Sequence, residues 1–209
     1  LKKTLKEKNV IKLENNYKDH ESSGINRLMS FTKTIRTLNR IEIKNKNCYL
    51  CGAMEYLTDY GADWRKIVEK KLQKHNIDSF NPAEKNKLNG ELQLFDKCSR
   101  HELKYSEVKK WAYNIIQTDL SALIKSDVVL CYWIKGVATY GTPAELTVAK
   151  MFDIPVLLVC DIDDYTELPK WVLGCCDYLS KDLKTVVKDV KKVLSENKSE
   201  LKRIYTANI

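Results

Sequence analysis

The sequence predicts an α/β fold built on a parallel, doubly wound sheet. Two apolar runs carry that expectation. Val128–Trp133 and Ile154–Cys160 are almost continuously apolar or aromatic, as strands covered on both faces should be. The third observation is alternation. Segments with apolar residues at helical spacing lie before, between and after these runs, the order of a βαβ series.

Residues 1–46 read as a basic N-terminal extension. Its first 24 residues are polar, lysine-rich and unpatterned, as a tail would be. Ile25, Leu28, Met29, Phe31, Ile35 and Leu38 then follow at roughly helical spacing. They predict an added helix that packs on the domain or on a partner. The domain itself is expected over 47–195, with a C-terminal tail over 196–209.

Within the domain, Cys48–Cys51 predicts a short strand, and Gly52 opens a loop through Met54, Glu55, Asp59 and Gly61. Asp63 is a candidate cap for a helix carrying Trp64, Ile67, Val68 and Leu72. Ile77–Phe80 predicts a second strand, ended by Asn81-Pro82. Residues 83–106 are polar with scattered leucines, and are expected to be a lid or a short helical insertion. A helix from about Glu107 to Lys125 leads into the strand at Val128. Another helix starts at Thr142 and leads to the strand ending at Cys160. Residues 161–177 suggest no element, 177–179 suggest a short last strand, and Leu183 to Leu194 suggest a final helix. The whole is a Rossmann-like (flavodoxin-like) three-layer domain. Ligands of such sheets sit beyond the carboxyl ends of the strands, so the loops 52–63, 134–141 and the one after Cys160 should converge.

Composition narrows the function classes. The chain has 209 residues and 44% hydrophobic content, enough for one well-buried domain. Its formal charge is +8, which favours anionic ligands. The excess is mainly lysine, which argues against base-edge readout of DNA. Neither GxGxxG nor a Walker loop is present, so dehydrogenase and kinase readings fall away. No apolar run reaches membrane-spanning length. Seven cysteines are present, and Cys48 and Cys51 have CxxC spacing without a second pair. On a strand the two thiols would point to opposite faces, so free thiols in a reducing, cytoplasmic compartment are expected rather than a metal site. His20, His75 and His101 have no ligand spacing.

The densest chemistry is at Gly141-Thr142-Pro143-Ala144-Glu145, after the Val128 strand. Gly141 reads as a sharp turn that also allows close approach of a ligand. Thr142 reads as the helix cap and Pro143 as its first residue. Glu145 would then lie in the first turn, where a carboxylate stays ionised and can face a ligand. The bland alternative is a capping box between Thr142 and Glu145.

Tyr49-Leu50-Cys51-Gly52-Ala53-Met54-Glu55 with Asp59, Gly61, Trp64 and Arg65, then Asp119, Ser126–Val129, Gly141-Thr142 with Glu145, and Ile154-Pro155-Val156 resemble nucleoside 2-deoxyribosyltransferase-like proteins. That group includes phage members and nucleoside 5′-monophosphate N-glycosidase relatives. The likeness covers about residues 47–179. It implies that Glu145 attacks the sugar C1′ and that Asp119 orients substrate. It also implies a sugar and base pocket lined by the Gly52 loop. Candidate substrate-binding residues are Gly52, Met54, Glu55, Asp59, Trp64, Arg65, Tyr140, Gly141 and Thr142. Neither metal nor organic cofactor is needed for such chemistry, and a homo-oligomer is expected. Where the classical members carry an aspartate two residues before the glycine, this chain has Thr139. Glu55, Asp59 or Tyr140 would have to replace that group. Arg65 and Lys135 are candidate phosphate ligands by location, which suggests tighter binding of a 5′-monophosphate than of its nucleoside. A nucleotide-binding protein without turnover and a nucleic-acid-acting protein with a basic arm are the rival readings.

Overall fold

The computed structural model describes residues 46–88, 94, 97–98, 100–160 and 165–195. All fall in one compact unit, Glu42–Ile209. The helix expected over 25–39 and both tails lie outside the described residues.

Five strands form one parallel sheet: β1 (Lys46–Gly52), β2 (Ile77–Phe80), β3 (Val128–Trp133), β4 (Val156–Cys160) and β5 (Tyr178–Ser180). Their spatial order is β2-β1-β3-β4-β5, the flavodoxin-like order, whose switch point lies between β1 and β3. Cys51 of β1 is in register with Cys131 of β3, and Cys131 with Leu158 of β4. The apolar runs of the sequence are the central strands because only there are both faces covered.

Alternation along β1 divides the core in two. Tyr49 and Cys51 join Val129, Cys131, Leu158 and the helix residues Leu123, Leu146 and Val172 on one face. Cys48 and Leu50 join Val128, Leu130, Val68, Leu72, Val186 and Val190 on the other. The first face is covered by α3 (Tyr105–Ile124), α4 (Gly141–Met151) and α5 (Lys170–Cys175). The second is covered by α1 (Ala62–Gln73) and α6 (Val186–Ser195). Cys48 and Cys51 therefore do face opposite ways, and all seven cysteines are free, six of them buried. Among the described residues no helix is long and apolar enough to cross a membrane.

Two local expectations, at Asp63 and at residues 170–175, need correction. α1 begins one residue before Asp63, and its cap position is Gly61 with φ 68°. Asp63 is inside the helix, where its amide donates to Asp59 Oδ2 at 2.9 Å. The stretch expected to be a lid or a short helical insertion does start with a helix, α2 (Pro82–Leu88). Asn81 Oδ1 accepts the amides of Ala83 and Glu84 at 3.1 and 3.3 Å, so the dipeptide that ends β2 also starts a helix. α5 lies in a stretch where no element was expected. Its six residues are too few for helical periodicity to register.

Candidate active site

The pocket lies at the switch point, and two β1 side chains buried behind its wall hold its key carboxylate. Tyr49 and Cys51, two residues apart, point to the same face. Both are fully buried. From α4, Glu145 reaches across to them. The Tyr49 hydroxyl donates to Glu145 Oε1 at 2.6 Å, and the Cys51 thiol donates to Oε2 at 2.9 Å. Burial, and then the charge of Glu145, hold the Tyr49 phenol well above its usual range. Burial, with Cys131 and Glu145 beside it, does the same for the Cys51 thiol. Both groups stay protonated and so remain donors. Each oxygen of Glu145 is held by a neutral donor, and the carboxylate is fixed in direction. Phe80 of β2 stacks on the Tyr49 ring at 5.6 Å between centroids and steadies the stronger of the two donors.

This geometry removes the capping-box alternative. The cap position of α4 is Tyr140, with no side-chain cap hydrogen bond. Thr142 is already helical, and its hydroxyl pairs with that of Thr139 at 2.7 Å. Glu145 is the fifth residue of α4, past the first turn where the helix dipole acts. Its orientation comes from β1 instead. Gly141 also needs a different account, because it opens the helix. The positive-φ glycine of that loop is Gly136. A side chain at Gly141, itself a pocket-lining residue, would meet only open space.

The cavity is about 290 Å³. Two of the three expected loops contribute. Gly52, Met54, Glu55 and Tyr56 come from the first, and Ala138, Thr139 and Tyr140 from the second. The loop immediately after Cys160 lies outside the described residues. Gly141, Thr142, Ala144 and Glu145 of α4, and Ile115, Ile116, Asp119 and Leu120 of α3, complete the wall. Asp119 is 8% exposed, and Lys85 of α2 is 3.6 Å from its Oδ1. Tyr56 and Tyr140 meet edge to face at 6.2 Å and are both exposed.

Three candidates are absent from the wall. Asp59 accepts the amides of Gly61 and Asp63 at 3.0 and 2.9 Å. The Asp63 amide first, and the Gly61 amide with it, lower its carboxyl below the usual range. Trp64 packs edge-on against Tyr132 at 5.3 Å. Arg65 is 1% exposed and donates to four backbone carbonyls: Leu50 at 3.1 Å, Ala53 at 3.4 Å, Gly61 at 2.9 Å and Gly52 at 2.9 Å. It ties the first loop together and has no reach to spare for a phosphate. A Cβ on Gly61 would collide with Arg65 Nη1 and Ala53 O, and one on Gly52 would meet Tyr132 O at 2.8 Å. Lys135, the other phosphate candidate, is paired with Glu167. The described wall thus carries three carboxylates, Glu55, Asp119 and Glu145, and neither lysine nor arginine.

Tyr49, Cys51 and Lys85 were not singled out as site residues by the sequence reading. For the first two, a period-2 count from the β1 apolar run puts both on one face. No comparable signal pointed from Lys85 to Asp119.

The family model described as nucleoside 2-deoxyribosyltransferase matches residues 48–201. No curated protein matches the chain. Among solved structures, the chain is similar to a 2-deoxyribosyltransferase from the psychrotolerant bacterium Bacillus psychrosaccharolyticus. The identity is 15% and the TM-score 0.49, over 74% of this chain and 95% of that one.

Proposed function

Because the chain belongs to the nucleoside 2-deoxyribosyltransferase family, we propose that it cleaves or transfers at the N-glycosidic bond of a deoxynucleoside, with Glu145 as nucleophile. The observation that carries this reading is the Glu145 carboxylate held by Tyr49 and Cys51 at a pocket wall. A Glu145 oxygen forms a bond to C1′ as the C1′–N bond breaks. The bonding pair leaves with the base, which takes up a proton. A second base, or water, then attacks C1′, and the carboxylate leaves with the ester pair. An anionic, directed carboxylate suits the cationic character that develops at C1′. With Thr139 bonded to Thr142 and Asp59 bonded to the backbone, Glu55 and Tyr140 are the wall residues that could deliver the proton. The test is chromatography for free base after incubation with a deoxynucleoside panel, with and without an acceptor base.

Threonine at position 139 favours a second reading, in which the pocket binds a nucleoside without turnover. A protein that binds the panel by calorimetry but releases no base would establish that reading.

The described wall supports a preference opposite to the one that overall charge suggests. A 5′-phosphate would enter a pocket with three carboxylates and no lysine or arginine in its described lining, and like charges brought together cost affinity. The nucleoside should bind at least about tenfold more tightly than its 5′-monophosphate. Calorimetry on a matched pair checks this. Equal affinities, or a preference for the monophosphate, would refute it.

Tyr49→Phe keeps the ring and its stacking on Phe80 but removes the donor to Oε1. Base release in a single turnover should slow about tenfold, the kinetic equivalent of one hydrogen bond. An unchanged rate would mean that Cys51 alone directs the carboxylate.

A further inference from the structure

Asp119 and Lys85 meet behind the pocket wall. Asp119 belongs to α3 and lines the cavity, whereas Lys85 belongs to α2 and is not a lining residue. The two side chains are 11% and 16% exposed, with Nζ 3.6 Å from Oδ1. An ion pair so far out of water is costly to assemble, and fold stability alone gives little reason to keep one. Its location supplies a different reason. Asp119 shares the pocket with Glu145 and Glu55, and its charge reaches Tyr49, where it helps to raise the phenol. Among the described residues, the titratable groups that share its surroundings include Tyr49 from β1, Glu55 from the first loop, Glu145 from α4 and Lys85 from α2. Lys85 brings a positive charge to this acidic group. It is held in place by the start of α2, where its amide donates to Asn81 O at 3.1 Å and Asn81 caps the next residues.

We propose that Lys85 is a positioning residue for Asp119, holding that carboxylate ionised and aimed at the substrate sugar through the Lys85–Asp119 ion pair. This inference rests on the function proposed above. Lys85 does not touch substrate. It makes a second anion tolerable beside Glu145, and so allows two carboxylates to serve one cationic transition state.

The experiment compares the full-length parent with Lys85→Met, Lys85→Arg, Asp119→Asn and the Lys85→Met/Asp119→Asn double variant. Base release is followed as a function of pH, and binding of a non-cleavable carbocyclic nucleoside by calorimetry. Lys85→Met should lower kcat at neutral pH by roughly tenfold to a hundredfold. The acid limb of its pH–rate profile should move to higher pH, since an unsupported Asp119 stays protonated longer. Lys85→Arg should recover most of the loss. In the Asp119→Asn background the second substitution should add almost nothing. An unshifted profile, or effects that multiply, would overturn the proposal. If Lys85→Met fails to fold, the pH profile of Lys85→Gln decides in the same way. If the parent releases no base at all, the catalytic reading fails while the pairing is still tested. Lys85→Met should then weaken carbocyclic nucleoside binding, and Asp119→Asn should abolish the difference between lysine and methionine. Equal binding by parent and Lys85→Met would refute the pairing.

Discussion

Glu145→Gln should reduce turnover by about a thousandfold or more while leaving nucleoside binding nearly intact. The amide keeps the size of the side chain and can still accept from Tyr49 or Cys51, which sit at 2.6 and 2.9 Å from the native oxygens. It cannot attack C1′, and removal of a nucleophile typically costs several orders of magnitude. A 2-fluoro sugar analogue should leave a covalent adduct on the parent at the peptide containing Glu145, visible by mass spectrometry. Had Glu145 served only as a helix cap, glutamine would preserve activity. A fully active Glu145→Gln protein would therefore end the proposal, and an adduct on another peptide would move the nucleophile.

Arg65→Ala should cost about 3–5 kcal/mol of folding stability. The substitution leaves four buried carbonyls, those of Leu50, Gly52, Ala53 and Gly61, without the donor that now serves them. An unmet buried acceptor costs about 1–3 kcal/mol, and the loop can satisfy some of these groups with water. A cavity replaces the guanidinium, which also lies 4.6 Å from the centre of the Trp64 ring. Arg65→Lys should recover less than half of the loss, because one ammonium cannot span carbonyls served by a planar fork. Urea unfolding measures both. A loss below about 1 kcal/mol for Arg65→Ala would mean that the loop holds itself.

The sheet was legible because its central strands are buried on both faces, so their apolar runs are continuous and hard to mistake. β1 was legible through the same burial, and the opposite facing of Cys48 and Cys51 followed from strand alternation. Glu145, Asp119, Gly52, Met54, Glu55, Tyr140, Gly141 and Thr142 do gather at one cavity. Arg65 went astray for a physical reason. An arginine next to a binding loop has the same signature whether it turns outward to an anion or inward to the loop's own carbonyls. The deciding quantity is burial, to which residues far apart in the chain contribute. Glu145 lines the cavity, but not from the first helical turn that the sequence suggested. Its direction is set by donors 94 and 96 residues away, beyond any local pattern. Lys85 was invisible for the same reason, since an ion pair between α2 and α3 leaves no trace in sequence spacing.

With Arg65 bonded at both ends of the stretch from Gly52 to Gly61, that part of the wall is already set before a ligand arrives. Shared Arg65 bonds should make it open together with the start of α1, which hydrogen exchange of its amides would read. A ligand that docked there would pay less entropy to order this stretch, and selectivity along it would rest more on shape than on adjustment of the loop.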